Sequence, residues 1–384
     1  MNDYLKESVN MTDTLVAWRR YLHQNPEIGL DLPLTTSFVS EKLTEMGVEH
    51  KVTKNCNIIA LIGKGERCFM LRSDMDALPI REESGEPFAS ANGNMHACGH
   101  DMHTTILLGA AKILKEHESE LGGTVKLLFQ SGEEVFKGAS AAINEGVLDN
   151  PTPEAAFCMH VQEKYDVGVW GFGTRPMASV YGFKINIAGK GSHGSYPEAG
   201  VDPIATAVHI YLALQELISR EVAAAQEATL TIGHFEAGSV PNAIPDTAMV
   251  EGTLRTFDSD VQRNLMNRIN EVAESVAKTY RASVDIETLC EVPVCICDDV
   301  MNQEAIDAIH KVNENYVTLE RFHEMGSEDF AFFTDRIPCS YMDFGAGVTD
   351  GERYPAHSPK ARFNEEALPV GAAVYATIAM EHFK

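Results

Sequence analysis

The chain of 384 residues predicts an α/β protein: a mostly parallel sheet covered by helices, interrupted by a self-contained β-α-β-β-α-β insert. Two observations carry this expectation. Short β-rich runs alternate with helical ones over residues 1–175 and resume after 288, and between them the rhythm changes to strand, helix, two strands, helix, strand. Length agrees, because a single hydrophobic core stops growing near ~250–300 residues. The domains expected are therefore 1–175 with 289–384, and an inserted 176–288.

The elements follow in order. Leu15, Val16, Trp18 and Leu22 recur at helical spacing over Thr12–His23, behind a Thr-Asp start expected to cap them. A second helix is expected over Thr36–Met46. Then come NIIALIG, CFMLRSD, the helical TTILLGAAKILKEH, TVKLLFQ, the helical ASAAINEGV, and AAFCMHV. In the insert, VYGFKINIAGK, ATLTIGHFEAG, TAMVEGTLRTF and SVDIETL alternate as strands around the helical DPIATAVHIYLALQELISR and VQRNLMNRINEVAESVAKTY. A helical tail closes the chain, and no internal repeat is present.

Composition excludes several classes. A formal net charge of -25, with no Lys/Arg cluster, argues against nucleic acid, whose phosphates need a basic stripe. The N-terminus lacks a basic start followed by an apolar core, and no stretch is apolar long enough to span a bilayer, so a cytoplasmic location and no membrane partner are expected. The eight cysteines are scattered and form no disulfide framework. Cys295 and Cys297, in the apolar run VPVCICDD, are expected to share one face of a strand and pack in a core rather than chelate a metal.

The chemistry-bearing residues cluster at strand ends. His96-Ala97-Cys98-Gly99-His100-Asp101-Met102-His103 precedes an apolar helix, and Cys98 and His100 can face one ion from a turn, since thiolate and imidazole suit zinc and its neighbours. Glu133 and Glu134 follow the strand TVKLLFQ, at the sheet edge where open α/β sheets bind ligands. Of two adjacent carboxylates, one can bind a cation while the other accepts a proton from water. Asp74 and Asp76 end CFMLRSDMD, His160 ends AAFCMH, and His357 lies in the late loop AHSP. The strongest ligand candidates are thus Cys98, His100, Glu134, His160 and His357, enough for two divalent cations if Cys98 or Glu134 bridges. Each alone is a weak signal.

At this point the chain strongly resembles the binuclear metal amidohydrolases that include hippurate hydrolases, N-acetyl-diaminopimelate deacetylases, aminoacylases and indole-acetyl-amino-acid hydrolases. The similarity runs nearly end to end through RRYLHQNPEIG, LRSDMDALPI, MHACGHDMHTT, GEE, MHV, PMAS, GKGSHGSYPEAGVDPI, PNAIPDTAMVEGTLRTF, MGSEDFAFF and AHSPKARFNEEALPVG. It implies ligation by those same five residues of two divalent ions, zinc or manganese foremost and cobalt or nickel otherwise. It makes Glu133 the general base, Asp74 an orienting carboxylate instead of a ligand, and His193 the histidine that steadies the developing oxyanion, often across a dimer interface. Asn242 and Arg255 become substrate contacts, Arg255 pairing with the free carboxylate of an N-acyl amino acid. The insert becomes a ferredoxin-like lid and dimerisation domain that closes over the substrate, in a homodimer or tetramer.

Departures limit what is inherited. QSGEEVFKGAS lacks the usual Pro-Ala before the glutamates and the glycine-rich run after them, and Gln162-Glu163 replaces Trp-Pro after His160. Ser192 and Glu198 differ from the frequent Gly and His. These changes leave the ligands in place but put substrate preference in doubt. The expected reaction is hydrolysis of the amide of a small N-acyl amino acid. A dipeptidase or carboxypeptidase could use the same site, and a catalytically silent scaffold would be expected to lack Glu133 or a ligand.

Overall fold

Two abutting helices open the chain. In the computed structural model, which describes residues 2–320 and 323–384, α1 (Asp3–Asn10) is capped by the Asn2 side chain, which accepts from the Leu5 N–H. Sequence reasoning passed over this helix. Because it runs to Asn10, α2 (Thr12–Gln24) begins with Met11 as its N-cap and without a side-chain cap; the expected Thr-Asp cap lies inside the helix. The next helix, α3 (Pro33–Glu45), starts three residues before Thr36. Pro33 is preorganised for a first turn, and the Glu27 carboxylate accepts the Leu34 and Thr35 N–H groups at 3.0 and 2.8 Å, a cap supplied from outside the helix.

The chain continues through β1 (Glu49–Val52), β2 (Ile58–Gly63), β3 (Cys68–Asp74), α4 (His100–Glu116), β4 (Thr124–Gln130), α5 (Gly138–Asn144), β5 (Ala155–Gln162) and β6 (Val169–Phe172). The middle stretch holds β7 (Ser179–Ala188), β8 (Ser192–His193), α6 (Pro203–Glu221), β9 (Ala228–Ala237), β10 (Ala243–Ile244), β11 (Thr247–Thr256), α7 (Ser259–Thr279) and β12 (Ser283–Val292). Last come α8 (Asp299–Val312), β13 (Val317–Glu320), α9 (Ala331–Thr334), β14 (Cys339–Gly345) and α10 (Ala367–His382). Two compact units result: Met1–Pro176 with Ile296–Phe322 and Phe332–Lys384, and Met177–Cys295 with His323–Ala331. Among the described residues, no helix is long and apolar enough to cross a membrane.

The first unit is built on an eight-stranded sheet of order β1-β2-β4-β3-β5-β14-β6-β13. Its centre, β4-β3-β5-β14, is parallel, and the antiparallel pairs lie toward the edges. Central strands covered on both faces should read as continuous apolar runs, and β3, β4 and β14 are buried along their whole length. Terminal helix α10 is buried from Ala367 to Met380, which explains why its sequence has no polar stripe. The chain leaves β3 through α4 to β4 on one side, then returns to place β5 on the other. Strand order therefore reverses between β3 and β5, the place where open α/β sheets form a binding crevice.

The second unit is a four-stranded antiparallel sheet, β12-β7-β11-β9, with α6 and α7 packed on one face through Ile210, Leu214, Leu265 and Ile269 against Ile185, Ile187, Val250 and Leu254. Asp202 and Asp258 cap the two helices by accepting N–H groups of the first turn. A short β8–β10 pair is added to the expected order. The run VPVCICDD is not a strand: β12 ends at Val292 because Pro293 has no N–H for the ladder. Cys295 makes an isolated bridge to Met177, and Cys295 and Cys297 are both buried.

One buried ionic group in the first unit ties α2 to the start of α4. Arg19 Nε and His23 Nδ1 both reach Asp101 Oδ2, at 2.7 and 2.8 Å, while His23 Nε2 lies 3.0 Å from Glu82 Oε1. These four side chains are at most 2 % exposed. Burial disfavours charge on Asp101, but Arg19 and His23 hold its carboxyl well below the usual range. Burial and Arg19 likewise oppose charge on His23, yet the two carboxylates keep its pKa above the ordinary histidine value. A raised histidine contributes stability that is complete below its unfolded pKa and is lost as pH rises through the folded one. We therefore predict that His23→Gln lowers unfolding free energy by on the order of 3 kcal/mol near about pH 6, and that the difference from wild type narrows toward about pH 9. Urea titrations at the two pH values measure this, and an equal loss at both would contradict it.

Candidate metal centre

Most of the predicted site residues come together beside the β3–β5 reversal. Cys98 ends a turn whose next residue, Gly99, adopts φ +87° as the N-cap of α4. A Cβ there would lie 2.5 Å from Val161 Cγ2, so only glycine fits between the turn and β5. This places Cys98 and His100 on either side of one sharp bend. Gly132, at φ +70°, turns the chain out of β4 into Glu133 and Glu134. His357 occupies the left-handed region at φ 65°, which is rare for a residue with a side chain, and its N–H is tied to the Ala97 carbonyl at 3.0 Å.

Donor atoms within 4.8 Å of one another form overlapping groups: Cys98, His100 and His160; Cys98, Glu134 and His357; and His100, Glu133 and Glu134. Cys98 Sγ lies 3.3 Å from His160 Nε2, His100 Nε2 lies 3.9 Å from Glu134 Oε1, and His357 Nε2 lies 3.5 Å from the same oxygen. The imidazoles are oriented by backbone acceptors. His100 Nδ1 is 2.8 Å from the Asp76 carbonyl and His160 Nδ1 is 2.8 Å from the Val161 carbonyl. A carbonyl can only accept, so Nδ1 of each ring carries a proton and Nε2 is left to face the cluster, where it can ligate once deprotonated.

His103 and Asp74 approach His100 closely enough to form a further group, but their atoms are committed elsewhere. His103 Nε2 accepts the Val161 N–H at 2.8 Å, so Nδ1 carries the proton that it donates to Asp74 Oδ1 at 2.6 Å. Burial pushes His103 down to about 4, which keeps it neutral. The other oxygen of Asp74 accepts from Arg72 Nη1 at 2.7 Å. Burial works against the Asp74 charge, but His100, Arg72 and His103 outweigh it and hold the carboxyl well below its ordinary value. His96, from the same motif, is buried and held neutral near a pKa of about 3, and it belongs to none of the donor groups.

Two residues that sequence reasoning left without a role shape the site. Asp76 is fully buried, and its two carboxylate oxygens accept the N–H groups of Glu133 and Glu134 at 2.9 and 3.2 Å, so one side chain holds the backbone of both glutamates. Arg72 is buried beneath Asp74. The available signal was the i, i+2, i+4 spacing of Arg72, Asp74 and Asp76 at a strand end, which puts charged groups where an all-apolar strand should continue.

The donors suit divalent cations. Among the described residues, His100 Nε2 and Glu134 Oε1 are both buried without a hydrogen-bond partner although they lie 3.9 Å apart, a costly state that a cation between them would relieve. Burial pushes Glu134 up, with His100 and His357 only partly offsetting it. At His160, burial opposes positive charge, yet Cys98 and Asp74 lift its pKa to about 9. Both shifts describe a buried surplus of electron pairs. One thiol, three imidazoles and a carboxylate match the borderline-soft ligands of zinc and its neighbours.

The other predicted residues belong to the second unit. His193 is exposed on β8, and its Nδ1 accepts the Ser195 N–H at 3.1 Å, so a neutral ring carries its proton on Nε2 and presents a donor. The Asn242 carbonyl accepts from Gly194 at 2.8 Å, beside the β8–β10 pair. Arg255 is half-buried on β11, where Nη1 donates to the Met325 carbonyl at 3.0 Å and to Ser327 Oγ at 2.9 Å.

Comparison with known proteins follows the same lines. The chain is 38% identical over 359 residues to the N-acetyl-L-cysteine deacetylase of Bacillus subtilis, covering 92% of this chain and 84% of that protein. It is 37% identical over 383 residues to the IAA-amino acid hydrolase ILR1-like 4 of Arabidopsis thaliana, covering 96% of this chain and 86% of that one. A Bacillus subtilis crystal structure described as a dinuclear metal binding peptidase from the M20 family superposes with a TM-score of 0.81 at 33% identity, over 97% of this chain and 98% of that one. The model of peptidase family M20/M25/M40 matches residues 70–381. The chain thus belongs to peptidase family M20/M25/M40 and is a metal-binding amide-bond hydrolase.

Proposed function

We propose that the protein hydrolyses the amide of N-acyl amino acids, with Cys98, His100, Glu134, His160 and His357 holding two divalent cations of the zinc or manganese type. The facing, partnerless His100 Nε2 and Glu134 Oε1 carry this reading. When bound, such cations acidify a water and polarise the acyl oxygen. Glu133, its backbone fixed by Asp76, takes a proton from the attacking water and returns it to the departing nitrogen. His193 donates its Nε2 proton to the oxygen on which charge develops. Arg255 pairs with the free carboxylate of the amino-acid half and Asn242 contacts the substrate; the neutral partners of Arg255 leave its charge available for an anion. Asp74, held by Arg72 and His103, orients the ligand set without entering it.

The protein acts in the cytoplasm in this reading, supported by eight cysteines that form no disulfide. It assembles through the insert, where Val208, Tyr211 and Leu212 of α6 are 43%, 39% and 55% exposed and the edge strand β9 carries Phe235 at 41%.

Three outcomes test these assignments. Glu133→Gln is expected to keep the bound metal, measured by elemental analysis, while kcat falls roughly 10²–10⁴-fold; near-normal turnover with metal bound would remove Glu133 from the base role. Arg255→Gln should raise KM by roughly 10–100-fold for N-acetyl amino acids and leave KM for their carboxamide analogues unchanged. An equal effect on both substrates, or turnover of the amides at the same rate by wild type, would contradict carboxylate recognition. Leu212→Glu should reduce the mass measured by sedimentation to that of one chain, whereas an unaltered assembly would exclude this face of α6.

A further inference from the structure

The two strands that carry Asp74 and His160 part company within the sheet. The parallel ladder between β3 and β5 runs from Phe69–Ala155 to Arg72–Cys158, yet β3 continues beside β4 to Asp74 and β5 continues beside β14 to Gln162. Continued in the parallel register that sets Arg72 opposite Cys158, with the Met159 N–H toward Arg72, the ladder would join the Asp74 N–H to the Met159 carbonyl and then the Val161 N–H to the Asp74 carbonyl. The β3–β5 pairing ends at Arg72–Cys158 instead, and two side chains bridge the strands there. The Tyr375 hydroxyl, brought in by α10, accepts the Met159 N–H at 3.2 Å and donates to the Arg72 carbonyl at 2.5 Å. One level further on, His103 Nε2 accepts the Val161 N–H at 2.8 Å and His103 Nδ1 donates to Asp74 Oδ1 at 2.6 Å, while the Asp74 carbonyl takes the Thr104 hydroxyl at 2.8 Å.

We propose that Tyr375 and His103 are positioning residues: a hydroxyl and then an imidazole bridge β3 and β5 where their ladder ends, and set the splay that separates Asp74 from His160 and makes room for the metal centre. The rungs widen in order, from a single oxygen atom to a five-membered ring, so the gap opens progressively toward the carboxyl edge. Both inserted groups bond to a donor and an acceptor, so the Met159 and Val161 N–H groups and the Arg72 and Asp74 carbonyls all have partners, as burial requires. Tyr375 is fully buried, and burial raises its pKa, which keeps the proton on the oxygen that must donate. Its ring packs edge-on against Phe157 at 5.4 Å, which fixes where the hydroxyl lies. Without these rungs, the backbone groups of the two strands could recover their hydrogen bonds only by closing on one another, and the ligand on β5 would move with its strand.

This inference rests on the metal-centre reading above, so the test begins with zinc binding to the wild-type chain, measured by competition with a chromogenic chelator. Tyr375→Phe removes one oxygen and keeps the ring. It is expected to weaken zinc binding by about 10-fold or more and to lower kcat while KM stays within about twofold. Thr377→Val supplies the stability control, because Thr377 lies on the same helix and, among the described residues, its hydroxyl bonds to the Ala373 carbonyl and the Asn2 amide, away from the metal centre; it should cost stability without altering zinc affinity. His103→Leu, which offers neither donor nor acceptor, should lose zinc affinity, and His103→Gln, which offers both, should recover part of it. Zinc binding by Tyr375→Phe within about twofold of wild type, equal weakening by Thr377→Val, or identical behaviour of the two His103 variants would overturn the proposal. If Tyr375→Phe does not fold, the His103 pair decides alone. Absence of zinc binding by wild type would instead overturn the metal-centre reading itself.

Discussion

The first unit is organised around a buried surplus of electron pairs. Asp74, Asp76, Cys98 and Glu134 gather at the carboxyl edge of a sheet whose central strands exclude water, and a buried carboxylate must find donors or a cation. The protein sorts them. Asp74 is satisfied by Arg72 and His103, and Asp76 by the N–H groups of Glu133 and Glu134. Glu134 Oε1 and His100 Nε2 face one another, and among the described residues neither has a hydrogen-bond partner. This division between satisfied and unsatisfied groups is visible in the hydrogen bonds alone, and it separates His103 from the candidate ligands even though it stands as near to His100 as they do.

Support for the site reaches well beyond the donors. The N-terminal motif RRYLHQNPEIG contributes no ligand, yet Arg19 and His23 bind Asp101, the neighbour of His100, and the Glu27 carbonyl accepts the N–H of Ala77, the neighbour of Asp76. Glu27 also caps α3 with its side chain. A single motif therefore links the first helices to both sides of the candidate metal centre, and the Arg19 and His23 links are buried, where their geometry is held firmly. Tyr375 does the same from the other end of the sequence.

The second unit obeys a different logic. Its helices cover one face of an antiparallel sheet, and alternation along β11 leaves Arg255 on the other. In a chain with 56 acidic and 31 basic residues, this half-buried guanidinium has a carbonyl and a hydroxyl for partners, which suits it to an incoming anion better than a resident ion pair would.

Local patterns in the sequence were enough to determine the alternation of strands and helices, the β-α-β-β-α-β order of the insert, and the donor-rich segments around Cys98, Glu134, His160 and His357, because periodicity and residue chemistry act over a few neighbours. Resemblance of ordered motifs then made a shared site the expected outcome. Tertiary structure alone decided that Asp76 grips the paired glutamates, that Tyr375 bridges β3 and β5, and that His103 spends both nitrogens on the same two strands. Those outcomes depend on which hydrogen-bond partner a group finds across tens or hundreds of residues. No local window contains that information, since Tyr375 and Arg72 stand 303 positions apart and meet only when the sheet and its last helix have packed.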